Sequence, residues 1–374
     1  MANIMIILDG MQDIAYPSLD GKTPYDSGKS EAIRYMEANS LSGRLVTTPP
    51  GFEADTQTCI LTMLGVMPDE IPPGRSYIEA LALGLEVGGD DIIMRCNFVE
   101  VSDDGKLAVP CCSAPEEIAK TLRDALSAID GYTITPVGSY KSLQMIRGGA
   151  KYLDSLVTHM PHQNQNGNFE NLLPHGNELA ERLARFSRDT LALHRPYTVL
   201  NWGQAVKGEL PAFSSLHMAG NGAGRSGAMV SKTDAPIGIA VAMGMECPEI
   251  PSATGDTDTD LHAKAAATIE LAGRHDFVML HIGGPDEATH RQNPVEKAEF
   301  IRRADIELVG PILDSLGEGD RVMLTCDHAA LCKTAGHTGE PVEFLFYERG
   351  KTLSGDLGTL PGTEAVRLMF GGSA

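Results

Sequence analysis

Short apolar runs alternate with longer helical patterns in this chain, and that rhythm limits the folds open to it. The runs end in acidic, glycine, serine or threonine residues, as the first one does at Asp9. Alternation of this kind predicts an α/β fold, with a mostly parallel sheet flanked by helices on both faces. The pattern predicts these segments: strands at 3–8, about 43–47, 91–98, 276–282, 320–325 and 342–347, and helices at about 28–38, 56–65, 77–86, 259–273 and 294–316.

The rhythm changes in the middle of the chain. A hairpin is predicted at 97–109, a capping-box sequence opens a helix after it, and two strand-like runs and a helix at 177–193 follow. The 374 residues also exceed what one compact core usually takes. We therefore expect residues 99–196 to form an inserted α+β cap domain, and residues 1–98 with 197–374 to form the core.

The charge balance narrows the function classes. Thirty Lys and Arg residues stand against fifty Asp and Glu residues, a net charge of −20, and no basic stripe is present. We therefore expect no binding to nucleic acid or to an anionic membrane surface. An anionic substrate would be repelled by this overall charge, so it would need cationic side chains in its pocket.

Cysteine usage and the N-terminus favour a cytoplasmic protein. The seven cysteines are odd in number and form no C-x-x-C pair, which suits a reduced compartment. The short apolar run at the N-terminus has no basic residues before it and no cleavage site after it. We expect no signal peptide and no membrane span. The sequence leaves open whether the chain forms a homo-oligomer.

Carboxylate and imidazole side chains follow several predicted strands. Asp9 closes the first strand, Asp286 and His290 have D-x-x-x-H spacing, Asp327-His328 ends another strand, and His337 comes nine residues later. In open α/β sheets, ligands gather at the carboxyl ends of the strands, so these residues are expected to converge. Oxygen and imidazole ligands without thiolates suit Mn²⁺ or Zn²⁺, and Mg²⁺ less well. Taken singly, each aspartate could be a turn or capping residue, and His337 a surface histidine.

Thr56 is the candidate nucleophile. It opens an apolar helix, so its hydroxyl would lie at a helix N-terminus, which favours anions. A hydroxyl beside divalent ions can attack phosphorus, which predicts phosphoryl transfer. The alternative is that Thr56 or Asp55 only caps the helix.

These residues together resemble a known family, the cofactor-independent phosphoglycerate mutases of the archaeal type, within the alkaline phosphatase superfamily. The resemblance covers nearly the whole chain and is most specific in its last third. Its motifs are Leu8-Asp9-Gly10-Met11, Pro50-Gly51 to Thr56, Gly74-Arg75-Ser76, Arg95-Cys96-Asn97, Trp202-Gly203-Gln204, Ala253-Thr254-Gly255, Lys264, His281, Pro285-Asp286-Glu287-Ala288 with His290, Asp327-His328 and Gly336-His337-Thr338.

The resemblance implies an alkaline-phosphatase-like core with two divalent metal ions and no nucleotide cofactor. Asp9, Thr56, Asp327 and His328 would surround one ion, and Asp286, His290 and His337 the other. Thr56 would carry the phosphoryl group of a small phosphorylated metabolite, here phosphoglycerate, and return it to the other hydroxyl of the same glycerate. The cap would exclude water meanwhile.

The chain departs from the family pattern around the substrate. The nucleophile segment is Asp55-Thr56-Gln57 where Gly-Ser-Asp is usual, Ile237 stands where a lysine is expected, and Tyr140-Lys141-Ser142 replaces Tyr-Arg-His. We therefore expect an altered substrate pocket beside a retained metal centre. The candidates for substrate binding are Arg75, Arg95, Lys232 and His162. The structural alternative for such an arginine is a fork onto a carboxylate.

Three functions remain open at this point: a mutase, a phosphotransferase or phosphohydrolase with another substrate, and a non-catalytic scaffold. The full ligand set argues against the scaffold. No Walker A motif is present, so a homoserine-kinase-like relative would have to donate through phospho-Thr56. The G-x-G-x-x-G match at Gly222–Gly227 is interpreted as a turn. The acidic run at Asp256–Asp260 lacks the glycine of a calcium loop and is interpreted as a helix cap.

Overall fold

The structure is a computed structural model that describes residues 1–216 and 224–371. The chain forms two compact units. The first unit consists of Met1–Ile71 and Leu210–Ala374, and the second unit of Pro72–Glu209. The G-x-G-x-x-G match begins at Gly222 and Ala223, which lie outside the described residues.

The strands of the described residues are, in chain order, β1 (Asn3–Leu8), β2 (Leu41–Val46), β3 (Ile92–Val101), β4 (Leu107–Val109), β5 (Tyr132–Val137), β6 (Lys141–Ile146), β7 (Tyr197–Val206), β8 (Gly227–Val230), β9 (Phe277–Ile282), β10 (Arg321–Thr325), β11 (Ala329–Leu331), β12 (Gly336–Thr338), β13 (Val342–Glu348) and β14 (Asp356–Pro361).

The α-helices of the same residues are α1 (Pro24–Gly28), α2 (Glu31–Asn39), α3 (Thr56–Met63), α4 (Ser76–Ala82), α5 (Glu116–Ser127), α6 (Phe169–Leu172), α7 (Glu178–His194), α8 (Asp234–Ala242), α9 (Leu261–Ala272), α10 (Gly284–His290), α11 (Pro294–Ala304), α12 (Gly310–Ser315) and α13 (Glu364–Met369). Each predicted strand and helix has a counterpart among these elements. The predicted helix at 294–316 is divided into α11 and α12 by a π-helical turn at Asp305–Val309.

The first unit is built on a mostly parallel sheet, which confirms the predicted fold class. The strand order is β14-β2-β13-β10-β1-β9-β8. The neighbours β10, β1, β9 and β8 are parallel, while β13 runs antiparallel to β10 and β2. All six residues of β1 are buried, as expected for a strand that is covered on both faces.

The parallel strands end at the same edge of the sheet. Asp9 follows β1, Gly283 and α10 follow β9, Asp327-His328 comes after β10, and residues 231–233 follow β8. We call residues 231–233 the β8 loop. The predicted metal ligands on these strands are therefore neighbours because the strands that carry them are neighbours.

The second unit is an antiparallel sheet packed against helices. Its strand order is β4-β3-β6-β5, and β7 pairs with β3. An apolar cluster that includes Met94, Leu122 and Leu179 joins β3 to α5 and α7. A separate cluster around Val99 and Phe169 includes the end of β3 and α6.

The unit boundaries lie further out than those predicted at 98/99 and 196/197. The predicted boundaries assigned the first part of β3 and most of β7 to the core. In the structure, β3 pairs with β7 and β6 from Ile92 onwards, and α4 packs on β3 and β7. The hydrogen-bonded pairing therefore holds these strands, and the helix before them, in the second unit.

Three other sequence predictions concern local features. Asp260 is the N-cap of α9, with its carboxylate accepting from the Ala263 N–H at 2.9 Å, so the helix-cap interpretation of the acidic run is confirmed. The seven cysteines are unpaired. Among the residues that the structure describes, the helices are too short or too polar to cross a membrane.

Candidate metal centre

Asp286, His290 and His337 form one group of potential metal ligands. Asp286 and His290 are one turn apart on α10, and the carboxylate Oδ2 lies 3.0 Å from His290 Nε2. His337 comes from β12, the second strand of the small β11–β12 hairpin, and its Nε2 lies 3.2 Å from Asp286 Oδ1. One carboxylate therefore faces two imidazole nitrogens.

Backbone carbonyls fix which nitrogen of each ring faces Asp286 with a lone pair. His290 Nδ1 lies 3.3 Å from the Ala335 carbonyl oxygen, and His337 Nδ1 lies 3.1 Å from that of Ala54. Because a carbonyl only accepts, Nδ1 donates in both rings, and the neutral ring presents Nε2 as an acceptor. Asp286 Oδ1 and His337 Nε2 are buried without a hydrogen-bond partner. Two acceptors that face each other at 3.2 Å repel unless a proton or a metal ion lies between them.

The pKa values of Asp286 and His290 also favour a carboxylate beside a positive charge. The hydrogen bond and the charge of Asp286 raise the pKa of His290. Burial opposes ionisation of Asp286, but His290 and His337 outweigh it and hold the pKa of Asp286 well below its usual range. The site thus stabilises a carboxylate next to positive charge, whether a proton or a metal ion supplies that charge.

Asp9, Asp327 and His328 form the second group, and all three side chains are buried. His328 Nε2 lies 3.5 Å from Asp9 Oδ1 and 3.4 Å from Asp327 Oδ2. The other oxygen of Asp327 accepts from the backbone N–H groups of Gly10 and His328 at 3.2 and 3.0 Å. Those bonds orient the carboxylate. Among the described residues, Asp327 Oδ2, Asp9 Oδ1 and His328 Nε2 have no hydrogen-bond partner.

The two groups lie side by side. The rings of His328 and His337 are stacked with centroids 3.9 Å apart. Gly10, which follows Asp9, has φ +61°, and a Cβ there would lie 3.0 Å from Asp286 Oδ1 and 2.7 Å from the Ala330 side chain. Only glycine can therefore bring the end of β1 this close to Asp286. Burial and the charge of Asp327 raise the pKa of Asp9 well above its usual range, and Asp286 raises it further.

The residues present fit divalent metal ions. Among the described residues, each group offers three ligand atoms that lie within 4.8 Å of one another. Both groups combine carboxylate and imidazole without thiolate, and several of their buried polar atoms have no hydrogen-bond partner. The groups have the same members as the two predicted ligand sets, apart from Thr56. That these residues bind metal, and that Thr56 joins them, stay predictions.

Thr56 is the first residue of α3 and is half-buried. Asp55 is the N-cap, and its carboxylate accepts from the N–H and the hydroxyl of Thr58 at 3.1 and 2.9 Å. The capping role thus belongs to Asp55, which leaves the Thr56 hydroxyl available. Ala54, two residues before Thr56, accepts from His337, so the start of α3 is anchored to the first ligand group.

His281 is a site residue to which the sequence analysis gave no role. It lies on β9, is fully buried, and places Nε2 3.2 Å from Asp9 Oδ2. Its Nδ1 lies 3.3 Å from the Thr233 hydroxyl in the β8 loop. Burial lowers the pKa of His281 to about 4, so the ring is neutral near pH 7. A signal was available in the sequence, since a histidine inside an apolar strand needs a polar partner.

Three of the four candidate substrate-binding residues, Arg75, Arg95 and His162, lie in the second unit. The Arg95 guanidinium donates to both carboxylate oxygens of the buried Glu79, at 2.8 Å from Nε to Oε2. Arg75 Nε and Lys141 Nζ lie 3.6 and 3.4 Å from Oε1 of the same carboxylate. Three cationic side chains thus lie around the Glu79 carboxylate. The structural alternative, a fork onto a carboxylate, describes Arg95.

Trp202 connects this cluster to His162. The Arg95 guanidinium lies 4.6 Å from the centre of the Trp202 ring system, and His162 meets the same tryptophan edge-on at 5.4 Å between centroids. The fourth candidate, Lys232, lies in the β8 loop of the first unit, where its Nζ is 3.7 Å from the exposed Glu249.

Replacing Glu79 by glutamine is expected to lower the free energy of unfolding by about 3–5 kcal/mol, because it removes the buried carboxylate to which Arg95 donates two hydrogen bonds. Burial raises the pKa of Glu79, but Arg95, Arg75 and Lys141 outweigh it and lower the pKa from 4.5 to about 2. Since the folded-state pKa is depressed, this contribution is present above pH 4.5 and lost as the pH falls towards 2. Urea unfolding of both proteins at several pH values measures the difference.

The matched control is Glu170→Gln in the same unit. Glu170 pairs with Arg188 at 2.7 Å, but both side chains are about half exposed, so the loss should stay below about 1 kcal/mol. Equal losses in the two variants, or a Glu79 effect that does not shrink in acid, would contradict the expected burial effect.

Residues 1–371 match the family described as the Metalloenzyme superfamily. The chain belongs to this superfamily. Membership agrees with a site made of carboxylates and imidazoles at the ends of parallel strands, and metal dependence follows from it. Membership does not specify which metal binds or how many ions bind.

Relatives of this metalloenzyme are named as mutases. The chain is 27% identical to the 2,3-bisphosphoglycerate-independent phosphoglycerate mutase of Methanothrix thermoacetophila, with both chains covered in full. It is 29% identical to the protein of the same name from Methanopyrus kandleri, over 91% of this chain and 86% of that one.

Solved structures share the fold of this metalloenzyme. A Pyrococcus horikoshii protein has a TM-score of 0.75 at 24% identity, with 99% of this chain and 96% of that one covered. A cofactor-independent phosphoglycerate mutase from Thermoplasma acidophilum has a TM-score of 0.60 at 19% identity, with 99% of both chains covered. These likenesses extend over both units.

Proposed function

We propose that this metalloenzyme is a phosphoglycerate mutase that interconverts 2-phosphoglycerate and 3-phosphoglycerate through a phosphothreonine at Thr56. The observation that carries the proposal is the anchoring of the start of α3 to His337, beside two adjacent groups of carboxylates and imidazoles. The names of relatives matched over nearly their full length support the choice of substrate.

We assign one ion to Asp9, Asp327, His328 and the Thr56 hydroxyl, and the other to Asp286, His290 and His337. Mn²⁺ or Zn²⁺ suits these ligands better than Mg²⁺. When bound, such ions withdraw electrons from the phosphoryl oxygens and favour ionisation of a nearby hydroxyl. Metal analysis of the purified protein, with two equivalents expected, tests this assignment.

The chain's own residues supply the nucleophile and its orientation. The Thr56 oxygen attacks phosphorus, the bond from phosphorus to the glycerate oxygen breaks, and the proton of the Thr56 hydroxyl goes to the departing oxygen. The other glycerate hydroxyl then attacks the phosphothreonine and restores the threonine, so no water is consumed. The N-terminus of α3 favours the negative charge on the phosphoryl group, and Asp55 holds the first turn in place.

Arg75, Arg95 and His162 in the second unit, and Lys232 in the first, are proposed to bind the anionic groups of the substrate. The departure at Tyr140-Lys141-Ser142 keeps a cation, since Lys141 joins Arg75 and Arg95 around Glu79.

A phosphotransferase or phosphohydrolase is the second candidate, favoured by Ile237 at the position where the family pattern has a lysine. One assay separates the candidates: an enolase-coupled reaction with 3-phosphoglycerate and Mn²⁺, run beside a general phosphatase substrate and beside ATP with homoserine. The mutase proposal expects turnover in the first reaction only. Turnover confined to either of the others would replace it with the corresponding activity.

A further inference from the structure

Lys264 is a buried cation that has no counter-ion among the residues that the structure describes. It lies on α9 with 1% of its surface exposed, and its Nζ donates to the Thr254 carbonyl oxygen at 3.0 Å. Among the residues that the structure describes, no carboxylate lies within ion-pair distance of it. An ammonium group loses much hydration on burial, and one carbonyl replaces only part of it.

Lys297, which also lies in the first unit, is a buried lysine with a structural role. It is also fully buried, but its Nζ lies 3.1 Å from Asp13 Oδ2 and 2.7 Å from the Ala330 carbonyl oxygen. Asp13 is in turn held by Tyr16 and by the Cys332 N–H. Lys297 therefore has a counter-charge within the fold, whereas the described residues supply none for Lys264.

The segments around Lys264 converge at the carboxyl ends of β8 and β9. A Cβ built on Gly283, which follows β9, would meet the Gly255 carbonyl at 2.6 Å and the Thr233 methyl group at 3.2 Å. Gly255 adjoins Thr254, the acceptor for Lys264, and Thr233 belongs to the β8 loop. These segments therefore lie at the same edge of the sheet as Asp9 and Asp286.

A second lysine, Lys232, belongs to a segment that packs beside the Lys264 acceptor: a Cβ built on Gly255, the neighbour of Thr254, would lie 3.9 Å from the Lys232 carbonyl oxygen. Burial and the positive charge of Lys232, in the β8 loop, lower the pKa of Lys264 to about 8. Lys232 is about one-third exposed, and its carboxylate neighbour Glu249 is 81% exposed at 3.7 Å, so that ion pair is weak. Two like charges thus lie close together beside the candidate metal centre with little compensation from the chain.

We propose that Lys264 and Lys232 form a binding site for an oxyanion, which is the carboxylate or the phosphate of the substrate. The proposal rests on the mutase function proposed above and extends it, because it makes Lys264 a substrate-binding residue. An oxyanion accepts several hydrogen bonds and brings the negative charge that the two ammonium groups lack.

Thermal unfolding of metal-free full-length protein tests the site without turnover. Sodium phosphate and sodium D-glycerate are added separately, with sodium chloride at equal ionic strength as the control. We expect at least one of the two to raise Tm of the wild-type protein by about 1–3 °C, and the responding salt identifies the group that binds. In Lys264→Met, the affinity for that salt should fall about tenfold or more. A wild-type protein that responds to neither salt overturns the proposal.

Variants separate binding from structure. Lys264→Met should leave Tm in chloride unchanged or higher, because it removes an uncompensated buried charge of similar length. Lys297→Met should lower Tm, because it leaves Asp13 buried and unpaired, and it should keep the response to the salt. If Lys264→Met keeps that response, the proposal is wrong. If that variant does not fold, Lys232→Met must lose the response instead, and a retained response there is equally decisive.

Failure of this proposal is distinguishable from failure of the mutase function. A salt response that depends on Lys264, without turnover of 3-phosphoglycerate, supports the oxyanion site and removes the mutase. Turnover with an unchanged KM in Lys264→Met supports the mutase and removes the site.

Discussion

Thr56→Ala is expected to lower turnover of 3-phosphoglycerate by about 10³-fold or more, because it removes the oxygen that would carry the phosphoryl group. The enolase-coupled assay measures the loss. Folding should be unaffected, since Asp55 rather than Thr56 caps α3 through its bonds to Thr58. Thr56→Ser keeps a hydroxyl and should retain much of the activity.

A second measurement concerns the covalent route itself. Wild-type protein quenched during turnover should gain the mass of one phosphoryl group on the peptide that contains Thr56, and Thr56→Ala should not. Thr62→Val is the matched control, because the Thr62 hydroxyl donates to the Thr58 carbonyl oxygen within the same helix and is buried. Its activity should change little. Full turnover in Thr56→Ala would exclude a phosphothreonine.

Asp286→Asn is expected to weaken metal binding by at least about 100-fold and to reduce activity with it. One carboxylate faces the Nε2 atoms of both His290 and His337, so its charge is shared by the whole ligand group. An amide keeps the shape of the side chain but offers one acceptor and no charge. Titration of the metal-free protein with Mn²⁺ or Zn²⁺ in a calorimeter measures the affinity.

Glu287→Gln supplies the control for the loss of a negative charge on α10. Glu287 is the next residue, its side chain is 45% exposed, and it lies 3.9 Å from Arg291. Metal affinity in this variant should stay within about threefold of the wild type, since exposed charges are screened by solvent. An equal loss in both variants would mean that net charge, rather than ligation, governs binding at this edge.

Much of the fold follows from patterns that are local in the sequence. The unbroken apolar run of β1 predicts a strand buried on both faces, and Asp9 directly after it predicts a polar side chain at the sheet edge. Asp286 and His290 are likewise one helical turn apart whatever the rest of the chain does. Strand order was needed to bring the ligand residues together. The rule that ligands gather at the carboxyl ends of strands predicted their convergence, and the resemblance to a family predicted their division into two groups.

Local sequence patterns could not predict the unit boundaries. The apolar pattern of β3 predicts a strand equally well in either unit, because a strand's composition does not specify its pairing partner. Only the hydrogen bonds from β3 to β6 and β7 assign it to the second unit. The same holds for Glu79, whose role depends on three cations that come from separate elements.

Periodicity and short spacing along the chain thus predicted the strands, the helices and the types of ligand at the strand ends. Folding added the long-range contacts: the carbonyls that orient His290 and His337, the burial of His281 beside Asp9, and the Thr254 carbonyl that accepts from the buried Lys264. The reason is physical. Secondary structure depends on neighbours a few residues apart, whereas the solvation and charge of a buried group depend on atoms brought to it from distant parts of the chain.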